Sequence, residues 1–254
     1  MASVLILSSH VATSDVGGGA QVVALARAGI ETVFAPTVLF GRHPGLGAPG
    51  GGAVEAAVFA GMLEGIAAAG VLTALDAVIT GYFASAELVA VAARTIFAAR
   101  AARPGVRIIV DPIMGDHGKG LYVEETVAQA LAVGLVPQAD LLAPNAWELA
   151  RLTTRPVGDP PSALAAARIL GRPVLVSSVD VDDDIGVAYV DRDEAWLAVH
   201  RRAPDVPHGA GDVLIALFTS ALVRGASRAE ALETAVGQIA RRFAGSGVRI
   251  ERIA

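Results

Sequence analysis

The chain has 254 residues, 54% of them hydrophobic, with no cysteine and a formal net charge of -5; that length suits a single α/β domain spanning 1–254 with a sizeable core. No apolar run approaches the roughly 20 residues of a membrane helix, and the acidic balance argues against the clustered Lys and Arg on which sequence-independent nucleic-acid binding depends. MASVLILSSH lacks a basic leader and there is no cysteine to staple, so a cytoplasmic protein with small-molecule partners is expected, with neither nucleic acid nor membrane among them.

Short aliphatic runs alternate with alanine-rich stretches of helical period. A strand is predicted over residues 4–7, a helix over 18–28 and a strand over 31–35. PTVLFGRHPGLGAPGGG, residues 36–52, is too rich in Gly and Pro for a helix or a long strand and reads as a lid-like loop. There follow a helix over 54–69, a strand over 77–80, a helix over 85–101, a strand over 107–110 and a helix over 124–133. Next come a strand over 140–142, helices over 145–152 and 162–170, and a strand over 174–177. Residues 186–190 and 195–200 flank Asp191-Arg192-Asp193 as an antiparallel hairpin at a sheet edge. Two helices then finish the chain, the last opening on the capping-box spacing of Ser227 and Glu230 and carrying Leu232, Val236, Ile239 and Phe243 on one face. Such alternation predicts a mostly parallel central sheet with helices on both faces.

In open parallel sheets, ligands bind at the carboxyl ends of the strands. Ser9, Tyr82, Asp111, Ser177 and Ser178 fall at such ends and could share one cleft. Near the C-terminus, PHGAGDVLIALFTSALVRG sets Asp212 before eleven uncharged residues. Gly209 and Gly211 allow a tight turn with outward amides, and the helix start adds partial positive charge, which together make an anion site. A carboxylate there can take a proton from an alcohol as a phosphoryl group arrives in line; it can also simply cap the helix.

GAGD ahead of a buried helix, with DPIMGD at 111–116 and APNAWEL at 143–149, resembles the ribokinase-like superfamily of small-molecule kinases. SSHVATSDVGGGA resembles a stretch of the pyridoxal kinases, matching at Ser9, His10, Val11, Val16, Gly17 and Ala20, and TGYFAS and GLYVEE are similar to that family too. The resemblance implies a ribokinase-like three-layer sandwich that phosphorylates the 5'-hydroxymethyl group of pyridoxal and related B6 vitamers with ATP, magnesium and possibly potassium, as a homodimer. It puts the base at Asp212 and the anion hole at Gly209, Ala210 and Gly211. Asp111, Asp116, Asn145, Ser177 and Ser178 would lie toward the nucleotide, Glu148 and Asp111 toward the metal, and Ser9, His43, Tyr82 and Tyr122 toward the substrate ring.

Plainer readings stand beside these. Asp111 closes a turn before Pro112; Asn145 and Glu148 have capping-box spacing; Tyr82 and Tyr122 fit as core aromatics; His43 and Ser9 fit as loop and strand-end polar groups. The chain departs from the pyridoxal kinase pattern at Gly41, Arg42, Pro44 and Leu46 in the loop, at Gly18, and at His208, where a small or hydroxyl residue is frequent. A hydroxymethylpyrimidine kinase shares the fold and the GGGA stretch at 17–20 and is the nearest alternative. A non-catalytic vitamin-binding protein would not need an intact GAGD. Gly17-x-Gly19 lacks the third glycine of a dinucleotide fingerprint, and the five histidines show no zinc-ligand spacing.

Overall fold

The computed structural model describes residues 2–203 and 208–254, so Pro207 of the PHGAGD segment lies outside the described residues. The first half runs β1 (Ser3–Val11), α1 (Gly17–Arg27), β2 (Glu31–Phe40), β3 (Gly51–Ala53), α2 (Ala56–Ala68), β4 (Ala77–Thr80), α3 (Ala86–Ala102) and β5 (Arg107–Val110). It continues through β6 (Gly115–Asp116), β7 (Gly120–Leu121), α4 (Glu125–Ala130), β8 (Leu141–Leu142), α5 (Ala146–Thr153) and α6 (Pro160–Ile169). The last part comprises β9 (Val174–Val181), β10 (Asp184–Val190), β11 (Ala195–Arg201), α7 (Ala210–Val223), α8 (Arg228–Ile239) and β12 (Arg249–Arg252).

Ten strands make one sheet in the order β12-β11-β10-β9-β8-β5-β4-β1-β2-β3, with β6 and β7 forming a separate small hairpin. From β9 to β2 every neighbouring pair is parallel, while β3 and the β10–β12 group add antiparallel edges. Alternation along β1 sorts the layers: Leu5 and Leu7 pack into one core and Val4 and Ile6 into the other, the period of two of a strand buried on both faces. One core takes side chains from α2 to α6, the other from α1, α7 and α8. The nine residues Val213 to Ala221 of α7 are all buried, which is why that helix carries no charge after Asp212.

Three expectations change in detail. The segment 36–52 is not irregular throughout: β2 runs through Pro36 to Phe40 and turns back into β3, with a short 3-10 turn at Pro44–Leu46 between them. Pro36 is tolerated because β3 pairs only with Val38, Leu39 and Phe40, leaving β2 as the sheet edge at the proline. The β10–β11 hairpin does not end the sheet, because β12 pairs antiparallel with β11 outside it. The chain therefore finishes on a strand, with the Arg252 guanidinium 5.9 Å from the Trp196 ring.

Candidate active site

Two helix starts meet at the carboxyl end of the sheet. Gly209, the residue before α7, has φ 92, and a Cβ there would lie 2.1 Å from the carbonyl oxygen of Asp15. Gly17, which opens α1, has φ 59, and its Cβ would lie 2.1 Å from Ser9 Oγ. Only glycine fits either position, in conformation and in space. This close approach lets the Gly17 amide donate to Asp212 Oδ2 at 2.9 Å. Asp212 is the third residue of α7, behind an N-cap that is Gly209, and its side chain reaches across to the start of α1. The other oxygen, Oδ1, is shut from solvent with no partner. Burial pushes the carboxyl up to about 6 against the Gly17 amide, which favours the ionised form.

A second acidic group lies across the strand ends. Asn145 and Glu148 form a full capping box on α5, with Asn145 Oδ1 accepting from the Glu148 amide at 2.9 Å and Glu148 Oε2 accepting from the Asn145 amide at 2.9 Å. Glu148 Oε1 also accepts from the amides of Met114 at 2.8 Å and Gly115 at 3.4 Å, and Asn145 Nδ2 donates to the Gly115 carbonyl at 2.8 Å. These bonds tie the DPIMGD segment to α5. Glu148 is 2% exposed, and burial pushes it up to about 7 although three amides pull the other way. Asp111, directly after β5, is buried and held well above the carboxylate range, first by burial and then by the charges of Glu148 and Asp212. Asp116 is less buried and accepts from the His117 amide at 2.7 Å.

The aromatic side of the site is a cavity of about 410 Å³ lined by Tyr82, Tyr122, Leu121 and Val123, among others. Burial raises Tyr82. Tyr122 exposes 47% of its surface, and its phenol is raised by burial and then by the charges of Glu148, Asp111, Asp116 and Asp212. Ser9 is buried beside Gly17. Ser177 and Ser178 stand in a bulge of β9, where the register against β10 jumps from Val179 opposite Gly186 to Val176 opposite Ala188. Ser178 adopts φ 61 there, and a bridge between Asn145 and Ser177 extends the parallel edge. Bulges of this kind re-aim side chains at a sheet end. His43 accepts from the Gly45 amide and stacks on His208, which precedes the Gly209 turn.

Asp111 directly follows β5 and Tyr82 lies just past β4, as expected, but Ser9 lies within β1 and Ser177 and Ser178 within β9, because those strands run on past the ends expected from their aliphatic runs; several residues that shape the site leave no such signal. Gly17 as donor to Asp212 is one, although three consecutive glycines opening a helix permit a close backbone approach. The Met114 and Gly115 amides that hold Glu148 carry no side-chain signature. The pairing of His43 with His208 joins distant parts of the chain and left none.

Residues 58–252 match the model of the family described as phosphomethylpyrimidine kinase. A pyridoxine/pyridoxal/pyridoxamine kinase of Bordetella avium is 39% identical over 238 residues, covering 91% of this chain and 80% of its own. The pyridoxal kinase of Deinococcus radiodurans is 34% identical over 247 residues, covering 91% and 82%. Among solved structures, pyridoxal kinase from Leishmania donovani in complex with ADP and pyridoxine superposes with a TM-score of 0.87 at 28% identity, covering 93% of this chain and 84% of that one. Fold and acid-lined strand ends define a ribokinase-like small-molecule kinase. The chain belongs to the phosphomethylpyrimidine kinase family, and its relatives put it with the pyridoxal kinases inside that family.

Proposed function

We propose that the protein transfers the γ-phosphoryl group of ATP to the 5'-hydroxymethyl oxygen of pyridoxal and related B6 vitamers, giving pyridoxal 5'-phosphate. The observation that carries the reading is Asp212: a carboxylate with one oxygen fixed by the Gly17 amide and the other unpartnered, in the first turn of a helix that opens on a left-handed glycine. Oδ1 takes the hydroxyl proton as the new bond forms, while the amides of Gly209, Ala210 and Gly211 hold the transferring phosphoryl oxygens. Tyr82, His43 and Ser9 orient the ring, and Tyr122 bridges the ring side and the acids. Asp111, Asp116, Asn145, Ser177 and Ser178 face the nucleotide.

Among the described residues, no three metal-type side chains converge as a ready cage, and both Glu148 oxygens already accept backbone amides. Such a donor set suits magnesium carried on nucleotide phosphates, with Glu148 and Asp111 holding its water shell. When bound, the ion neutralises phosphate charge; a potassium ion near Asp111 would do so in part. One domain over 1–254, a lid over 36–52, a homodimer and a cytoplasmic location complete the reading.

A panel assay of purified protein with ATP and pyridoxal, pyridoxine, pyridoxamine and hydroxymethylpyrimidine tests it. Pyridoxal is expected to give the highest kcat/KM. A preference for the pyrimidine would move the substrate to the branch that gives the family its name, and no turnover of any of the four would leave a vitamin-binding protein.

A further inference from the structure

The His43 and His208 rings stack with centroids 4.1 Å apart and planes 17° from parallel. One ring comes from the segment between β2 and β3, the other from the residue immediately before Gly209. His43 Nδ1 accepts from the Gly45 amide at 3.1 Å, so in the neutral ring the proton sits on Nε2. Both rings lie close over Gly45, where a Cβ would meet His43 Nδ1 at 3.0 Å and His208 Nε2 at 3.5 Å. The two imidazoles therefore form a contact between the 41–50 loop and the turn that opens α7.

We propose that His208 is a positioning residue that clasps the 41–50 loop, through His43, onto the Gly209 turn, so that the ring-contacting loop and the phosphoryl-holding turn close as one unit. The proposal rests on the reading above that His43 faces the substrate ring. The clasp requires that both rings are not charged together, since two imidazolium ions at this separation repel. The charged group that acts on the pair is Lys119 in the β6–β7 hairpin; nearby, the Arg42 guanidinium turns back to the Ala48 carbonyl, and the Asp15 carboxylate lies 3.8 Å from Arg242. Burial, His208 and Lys119 each press His43 below its ordinary value and keep its ring neutral. Because His43 stays neutral to lower pH, both rings become charged, and the clasp loosens, only below the ordinary histidine range.

The test compares wild type, His208→Ala and His208→Phe by amide hydrogen exchange of residues 41–50 in the substrate-free protein near pH 8 and near pH 5, and by steady-state kinetics with pyridoxal near pH 8. At the higher pH, His208→Ala is expected to speed loop exchange and raise KM about tenfold, with kcat within about twofold, as loss of a single ring stack implies. Phenylalanine keeps the stack and cannot charge, so His208→Phe should hold the loop at both pH values where wild type loosens at the lower one. Loop exchange in His208→Ala equal to wild type overturns the clasp, and loosening of His208→Phe at low pH to the wild-type extent overturns the role of charge. If no vitamer is phosphorylated, the exchange of the substrate-free protein still decides the clasp.

Discussion

The carboxylate of Asp212 is where residue chemistry is most exposed to test. Asp212→Asn preserves size and a carbonyl oxygen for the Gly17 amide but cannot take a proton, so kcat should fall about a hundredfold or more with nucleotide affinity retained. Measured turnover near wild type in a folded variant would remove Asp212 as base. The motif made this residue legible only in company: an acid directly after Gly211 at a helix start is ordinarily a cap, and it was GAGD together with DPIMGD and APNAWEL that singled it out. What the motif did not carry is the partner: Gly17 lies far away in sequence, and only the packing of α1 against α7 brings its amide to Oδ2. Glu148 shows the opposite case, since its capping-box spacing was legible and is realised in full, while the Met114 and Gly115 amides that occupy its Oε1 come from a loop whose course no local pattern encodes.

Elements were legible wherever burial imposed a period. The parallel strands with both faces covered read as aliphatic runs, and α8 announced itself through Ser227 and Glu230, which do form the box. The errors fall at edges. β2 extends past Pro36 and β3 is made of Gly51, Gly52 and Ala53, all exposed, so neither leaves an alternating pattern. β12 reads Arg249-Ile250-Glu251-Arg252, a charged edge that guards against further pairing and hides the strand. Between α1 and α7 the elements meet so closely that glycine is required, and this gives a prediction at the same scale. Gly209→Ala forces a Cβ into the Asp15 carbonyl at a left-handed φ, so it should cost about 1–3 kcal/mol of stability and most of the activity, as α7 withdraws from α1. Calorimetry with a parallel kinetic assay reads both; an unchanged melting temperature would mean the two helix starts can part without cost.

Across the whole molecule, the acids of the site, Asp111 and Glu148 buried and Asp212 half-buried, set how stability follows pH. Asp111, Glu148 and Asp212 are all raised, the last two to about 7 and about 6. A carboxyl whose folded value lies above its unfolded one holds a proton in the native state that the unfolded chain has already released, so stability falls as pH rises between the two values. For Asp212 the window runs from 3.8 to about 6, and for Glu148 from 4.5 to about 7. Capping acids such as Asp159 and Glu230 are lowered and act in the other direction, but only in more acidic solution. His43, lowered from 6.5, opposes the trend below that pH, but it sits on an exposed loop and weighs little. The ligand-free protein should therefore melt higher near pH 5 than near pH 8, with Asp212 contributing at most about 1.4 kcal/mol of the difference, since only the upper part of its window lies above pH 5. Differential scanning calorimetry without nucleotide measures it, and Asp212→Asn, which has no proton to release, should flatten part of the slope. A melting temperature that climbs steadily from pH 5 to pH 8 would mean the three acids are ionised in the folded state, and that the site holds its charge without a bound cation.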